Sequence, residues 1–183
     1  MTFTAVVFLA LTKADPQAAL QCLARTVGTL DTDALREFTD GRREVVYALE
    51  MIAIWDDLFA DAARLLLRLA EAENETYANN ASGVFAGLFS PGYGEVAPTE
   101  ASPQKRLLVL EEALTSDSEA QRLLALRACD AALETDHFSR IAGAEQQCSK
   151  ISEITIQSSM AFALRHIVFL ITLRVSTHMK FGN

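Results

Sequence analysis

The chain is poor in the residues that staple a fold, bind metal or break helices. Among its 183 residues there are three cysteines, Cys22, Cys129 and Cys148. An odd number without C-x-x-C spacing argues against a disulfide framework and against a thiolate zinc site. Read as reduced thiols inside helical patterns, Cys22 and Cys129 are expected to be small core residues. Positive charge is also scarce: 16 Lys+Arg stand against 24 Asp+Glu, a net charge of −8. A surface of that sign repels the phosphates of nucleic acid. Long apolar runs are missing as well. The opening stretch "FTAVVFLAL" falls short of the ~20 residues needed to cross a bilayer. It has no positive residue before it and no clean small-x-small site after it, so it does not read as a signal peptide. It is expected to be a buried first helix or strand, in a cytoplasmic protein.

The signatures of catalysis are missing too. The sequence holds no G-x-x-x-x-G-K-[ST], no G-x-G-x-x-G, no H-E-x-x-H and no G-x-S-x-G. In "ETDHF", Glu134, Asp136 and His137 stand two and three residues apart, which does not align them on one helical face, and one local cluster does not complete a metal site. His166 and His178 have no carboxylate or cysteine at ligand spacing. No catalytic residue, cofactor site or metal site is assigned, and the chain reads as non-catalytic.

What the sequence does hold is helical periodicity. Half of the residues are hydrophobic, ten of them Phe, enough for a sizeable core in a chain of this length. In "ADPQAALQCLARTVG", Asp15 suits an N-cap, Pro16 the first helical position and Gly28 the stop. Ala19, Leu20, Leu23 and Val27 share one side. "DTDALREFTDG" predicts a short helix capped by Asp31 and stopped near Gly41. A third follows over 42–54 with the stripe Val45, Ala48, Leu49 and Ile52, ending at Trp55, which is expected to be mostly buried at a helix junction. Asp56 or Asp57 is expected to cap a fourth, "DDLFADAARLLLRLAEAENE", with Leu58, Ala62, Leu65, Leu66 and Leu69 inward. Asp57, Asp61, Arg64, Arg68, Glu71 and Glu75 then form an opposite, solvent-facing stripe, pairing Asp61 with Arg64 and Arg68 with Glu71. Ser102 with Pro103 starts one further helix, and Asp117 caps another. There is neither sustained two-residue alternation nor an Asn-Gly or Asp-Gly hairpin turn, so the body is expected to be all-α.

"AARLLLRLAEA" and "AQRLLALRACD" align at an offset of 58, matching Ala62/Ala120, Arg64/Arg122, Leu65/Leu123, Leu66/Leu124 and Ala70/Ala128. Each follows a shorter predicted helix. Two helix pairs of this kind are the logic of stacked antiparallel hairpins in an α-solenoid of HEAT-like type.

Between the pairs lies "NETYANNASGVFAGLFSPGYG". Its sequons, Asn74-Glu75-Thr76 and Asn80-Ala81-Ser82, are acceptors only in a secreted chain; capping and turn chemistry is the simpler use of these asparagines. Asn79 or Asn80 is expected to cap a segment with Val84, Phe85, Leu88 and Phe89 inward. Gly83 and Gly87 fit a place where another helix backbone comes close. "GYGEVAPTEASP" is expected to be an exposed loop. Tyr77, Asn79, Asn80 and Tyr93 form a candidate interaction loop, since paired amides beside phenols make a polar contact surface.

The stretch from Gly41 to Arg106, with its Trp-ended helix, Ala/Leu/Arg helix, E-N-E-T, N-N-A-S-G and A-P-T-E, resembles a helical region inside much longer, largely uncharacterised bacterial proteins. The similarity runs from about Val6 to about Glu145. It implies a HEAT-like helical fragment of a larger polypeptide, whose partners are other proteins or the remainder of that polypeptide. Some such proteins carry a nucleotide-hydrolysing or sensor module elsewhere, which gives a regulatory role as the alternative. The resemblance implies no catalytic residues.

The last segment differs in kind. Residues 1–147 hold 12 Lys+Arg and 23 Asp+Glu, whereas 148–183 hold four and one, a change from −11 to +3. The division expected is a helical-repeat domain over 1–147, folding without the rest, and a divergent apolar, basic tail over 148–183. Met160 to Val175 suits a helix that docks on the body. A membrane contact through 160–175 is the lesser reading, because Arg165 and His166 interrupt a run already short for a span.

Overall fold

A computed structural model describes residues 3–91 and 97–133, residues 3–6 by backbone alone. Among the described residues the chain is all-α, with eight helices, one 3-10 turn and no strand. The helices are α1 (Phe3–Ala14), α2 (Pro16–Arg25), α3 (Thr32–Glu37), α4 (Arg42–Ile52), α5 (Phe59–Glu71), α6 (Ala81–Gly87), α7 (Pro103–Leu114) and α8 (Glu119–Leu133), with the 3-10 turn at Val27–Thr29. The expected tail over 148–183, its segment 160–175 and the "ETDHF" cluster lie outside the described residues.

Local chemistry sets most helix starts. Asp15 accepts from the Ala18 N–H at 2.9 Å with Pro16 behind it, and Asp31 accepts from the Ala34 N–H at 2.8 Å. Ser102 accepts from the Lys105 N–H at 3.3 Å, with Pro103 in the first helical position. Each side-chain oxygen takes one of the four N–H groups that a helix start leaves without a partner. Three expected boundaries differ. Asp56 and Asp57 do not cap α5, which starts at Phe59 without a side-chain cap; they face the Lys105 ammonium at 2.5 and 3.6 Å instead. The cap of α8 is Ser118, whose Oγ accepts from the Gln121 N–H at 3.4 Å, rather than Asp117. Gly41 does not end α3, which stops at Glu37; with φ +81° it opens α4, a conformation that suits glycine.

The fold is organised around α5, which packs against α2, α3, α4, α6, α7 and α8. Helices α1 and α2 lie on α4, α6 packs on both α5 and α8, and α7 packs on α8. One continuous apolar core runs from Ala19 in α2 to Cys129 in α8. At its centre Phe59 and Phe89 meet edge-on with centroids 6.0 Å apart, and Phe85 meets Phe89 at 5.2 Å, geometries that suit the aromatic quadrupole. Helix α4 is enclosed on more sides than its stripe predicted: Val46 through Ile52 are all buried, while Val45 is only half-buried. Trp55 does sit at the α4–α5 junction, packed against the core but half-buried. Cys129 is buried, as expected, and burial pushes its thiol up to about 11. Cys22 is exposed, because α2 turns only Ala19, Leu20 and Leu23 inward.

The buried residue that best accounts for the packing is a charged one. Arg42, the first residue of α4, is fully enclosed. Its Nη1 donates to the Leu35 carbonyl at 2.6 Å and the Phe38 carbonyl at 3.4 Å, and its Nη2 to the Leu69 and Ala72 carbonyls at 2.6 and 2.9 Å. Leu35 and Leu69 lie in the last turns of α3 and α5, where carbonyls have no helical partner. A cation there also opposes the negative ends of both helix dipoles. The Glu73 carboxylate stands 3.7 Å from Nη2.

The charged stripe of α5 is solvent-facing, as expected, at Asp57, Asp61 and Arg64, whereas Arg68 and Glu71 are half-buried against neighbouring elements. Arg64 does pair with Asp61 at 2.9 Å, and it also grips Glu112 of α7 through two bonds of 2.8 Å; the guanidinium holds that carboxyl below its ordinary range. Arg68 does not meet Glu71. It donates to the Gly28 and Leu30 carbonyls around the 3-10 turn, while Glu71 accepts from Ser118 and Gln121 at the start of α8, each at 2.5 Å. With neighbours on so many sides of α5, Arg64, Arg68 and Glu71 each reach an adjoining element and tether it.

Replacing Arg42 with alanine leaves three buried carbonyls and the half-buried Phe38 carbonyl with fewer donors and opens a cavity. The expected loss is about 3–5 kcal/mol, as for other buried charged groups deprived of a partner and large core deletions. Urea unfolding of the full chain measures it; a loss under about 1 kcal/mol, the size of a surface substitution, would show that the carbonyls find other donors.

Candidate functional site

The connection from α5 to α6 is short and fully built. After the C-cap Ala72, the Glu73 carboxylate folds back over the loop. Its Oε1 accepts from the Asn74 and Glu75 N–H groups at 3.2 and 3.3 Å, and its Oε2 from the Ser82 N–H at 2.9 Å. Ser82 lies in the first turn of α6, so Glu73 serves one orphan donor there. Asn80 serves the next: its Oδ1 accepts from the Gly83 N–H at 3.0 Å, and its Nδ2 donates to the Glu75 carbonyl at 2.8 Å. Asn74 reaches back to α3, its Nδ2 donating to the Arg36 carbonyl at 2.6 Å. Asn80 is therefore the cap residue it was read as, whereas Asn74 bonds a carbonyl 38 residues away rather than a nearby backbone group. Gly83 is required by a close approach, although not of another helix: a Cβ there would run into the Ala78 carbonyl of the same loop.

Asn79 points away from this framework, towards α4. Its Nδ2 donates to the Tyr47 hydroxyl at 2.6 Å, and Arg43 Nε donates to the same hydroxyl at 2.8 Å. The Arg43 guanidinium lies 5.3 Å from the Tyr47 ring centroid and 5.4 Å from that of Tyr77, within cation–π range of both. Tyr77 in turn donates to the Glu75 carboxylate. Four residues, Arg43, Tyr47, Tyr77 and Asn79, thus share one contact network from two elements far apart in sequence. Arg43 is exposed and Tyr77 half-buried, while Tyr47 is buried and serves as the network's floor. Contact with Tyr47, through both hydrogen bond and charge, holds Arg43 firmly protonated. Tyr77 is shifted upwards, first by burial and then by its bond to the Glu75 carboxylate.

Of the candidate interaction residues, Tyr77 and Asn79 are brought together, Asn80 belongs to the supporting cap, and Tyr93 lies outside the described residues. Arg43, Tyr47 and Glu75 are members that the candidate loop did not include. Arg43 and Tyr47 are four apart in a helix, the one local signal that could have marked them. The surface they form offers an exposed cation, a carboxylate and the Tyr77 ring within one patch. Among the described residues no group of three His, Cys, Asp or Glu side chains is placed to hold a metal, and no helix is long and apolar enough to cross a membrane.

The second half of "GYGEVAPTEASP" is not an exposed loop. Ala97, Thr99 and Ala101 are buried, the Glu100 N–H donates to the Ile54 carbonyl at 2.8 Å, and Thr99 Oγ1 donates to the same carbonyl at 3.3 Å. The segment closes over the end of α4. On α7, Arg106 is nearly enclosed, and burial pushes its guanidinium down to about 10.

Two measurements test the network. Asn80→Ala removes an N-cap and is expected to cost about 0.5–2 kcal/mol in urea unfolding, against no change if Glu73 alone suffices. For Tyr77, the folded protein holds the phenol proton more tightly than the unfolded chain. The stability this provides is complete below the ordinary phenol value of 10.0 and is lost as pH rises above it. Wild type should therefore lose melting temperature more steeply above that pH than Tyr77→Phe, and parallel curves would contradict the assignment.

No family model matches the chain, and no curated protein or solved structure is significantly similar to it.

Proposed function

We propose that this chain is a non-catalytic helical-repeat scaffold for protein–protein interaction, a fragment of a larger bacterial polypeptide, and that it meets its partner through the Arg43–Tyr77–Glu75 patch. The single observation carrying the reading is the construction of that patch. Tyr77 stacks a cation and bonds a carboxylate, the Tyr47 hydroxyl accepts from that cation and is itself held by Asn79, and Glu73 and Asn80 hold the loop that presents it. Aromatic and arginine side chains held in place on a rigid frame are what protein interfaces use as anchors, because little side-chain entropy is left to lose on binding.

The α-solenoid reading of the frame draws on the repeat. The equivalent pairs Leu66/Leu124 and Ala70/Ala128 are buried on both helices, so the inner faces of α5 and α8 keep the same register. Helix α5 packs on both members of the α7–α8 pair, as one hairpin stacks on the next in such arrays. The outer positions diverge, with Ala62 buried and Ala120 exposed. In a HEAT-like array this marks the inner hairpin and the one nearer the end.

The test uses the full chain carrying an affinity handle and expressed in its own host. Proteins retained by wild type are compared with those retained by Arg43→Ala/Tyr77→Ala. The expected result is a defined partner whose recovery falls at least tenfold with the double substitution while melting and circular dichroism stay unchanged. A partner recovered equally by both forms would place the interaction elsewhere, and the absence of any partner specific to wild type would reject the scaffold reading.

A further inference from the structure

Arg43 has donors that the protein itself does not use. Its Nε is spent on the Tyr47 hydroxyl at 2.8 Å, and its guanidinium lies 5.3 Å from the Tyr47 ring centroid and 5.4 Å from that of Tyr77. One hydrogen bond and two ring contacts leave the flat group little freedom to turn. Arg36, Arg42, Arg64, Arg68 and Arg122 each bond a carboxylate or a carbonyl through a terminal nitrogen. Among the described residues, Nη1 and Nη2 of Arg43 bond neither, although the side chain is exposed. The acids at hand do not fill the place. Glu75 gives its carboxylate to the Tyr77 hydroxyl, and Glu73 gives both of its oxygens to loop N–H groups.

We infer that the partner group seated on this patch is a single carboxylate, an Asp or Glu side chain or a chain end, lying across Nη1 and Nη2 of Arg43. The inference rests on the patch being the partner-facing surface and names what the patch recognises. Two parallel N–H groups match the two oxygens of a carboxylate, and such paired, charge-assisted bonds are stronger and more directional than single neutral ones. A free surface arginine loses side-chain freedom when it binds; Arg43 has given up much of it beforehand to Tyr47 and Tyr77, so less is lost on contact. Charge selects among anions. Glu44 on α4 and Glu73 and Glu75 in the loop stand on the same two elements, in a chain of net charge −8. A phosphoryl group, at about −1.5 to −2, meets that repulsion more strongly than a carboxylate does. A run of acids meets it at every residue. One carboxylate gains the paired bonds and meets the least repulsion.

The arginine Nε–H resonances of the full chain read the site directly, with sodium acetate as the probe and sodium chloride holding ionic strength constant. Arg25 and Arg127 are exposed and stand for ordinary surface arginines in the same sample. The Arg43 resonance should reach half of its shift at an acetate concentration about threefold below theirs. Tyr47→Phe keeps the ring and removes the hydroxyl. It should bring Arg43 back to the behaviour of Arg25, with thermal melting checking that the chain stays folded. Equal responses of the three arginines in wild type would overturn the inference by themselves, as would an Arg43 preference that survives Tyr47→Phe in folded protein. Inorganic phosphate at the same ionic strength is the second probe, and selection of Arg43 by phosphate over acetate would replace the carboxylate by a phosphorylated group. If Arg43→Ala/Tyr77→Ala loses a partner while Arg43 shows no acetate preference, the patch stands and the carboxylate is rejected.

Discussion

Two helices in this protein end inside it, and the structure depends on how those ends are satisfied. The last carbonyls of α3 and α5 converge where water has no access, and a helix terminus left bare there would cost several unmet hydrogen bonds. Arg42 meets that need from a third helix. Its flat guanidinium presents two donor-bearing nitrogens to two helix ends at once, which a lysine ammonium, a compact point charge, does not reproduce. The arrangement also fixes where α4 begins. Gly41 turns the chain through a positive φ so that the residue after it enters the cavity. The position of α4 relative to α3 and α5 is therefore set by a side chain at its first residue as much as by the apolar contacts along its length.

The same device recurs at lower burial. Arg68 donates to carbonyls around the 3-10 turn, and Asn74 to the end of α3. Glu73 and Glu71 do the converse, offering carboxylates to N–H and O–H donors at the starts of α6 and α8. Helix ends carry partial charge, negative at the C-terminus and positive at the N-terminus, and cations and anions are distributed accordingly. The network beneath the Arg43–Tyr77 patch continues this framework. Glu73 lies near Arg42 and braces the loop whose outer face carries Tyr77 and Asn79, so the patch is anchored to the fully buried Arg42.

What was legible in the sequence was what is local. Asp15, Asp31 and Ser102 cap the helices they were expected to cap, and Asn80 is the one of the Asn79/Asn80 pair that caps α6, because a cap is decided within three residues. The inward faces of α2 and α6 follow from spacing alone. Most of what was not legible depends on partners 27 or more residues away, the shift of the α8 cap from Asp117 to Ser118 being a local exception. Nothing near Arg42 in the sequence says that the carbonyls of Leu69 and Ala72 will lie against it. Asp56 resembles a cap until Lys105, at 49 residues' remove, takes its carboxylate. The charged stripe of α5 has the spacing of a solvated face, and only the packing of the 3-10 turn, α7 and α8 against that helix turns Arg68, Arg64 and Glu71 into tethers. The candidate loop was found by its amides and phenols, but half of the patch comes from α4, which periodicity had described only by its apolar side.

The distribution of polar groups also bears on how the two helix pairs are held together. If apolar burial alone joined them, α5 and α8 could slide past one another by a helical turn at little cost, since both faces are Leu and Ala. Directional contacts remove that freedom. Arg64 grips Glu112 with two parallel bonds, a geometry that tolerates little displacement. Glu71 takes one donor from Ser118 and one from Gln121, and so binds the first turn of α8 at a single register. Exposed ion pairs add little stability, and these are half exposed. Their effect is on geometry: they select one alignment of surfaces that would otherwise accept several. Helices that pack through Leu and Ala need such pins, and in this chain they stand on the face of α5 that the sequence pattern assigned to solvent.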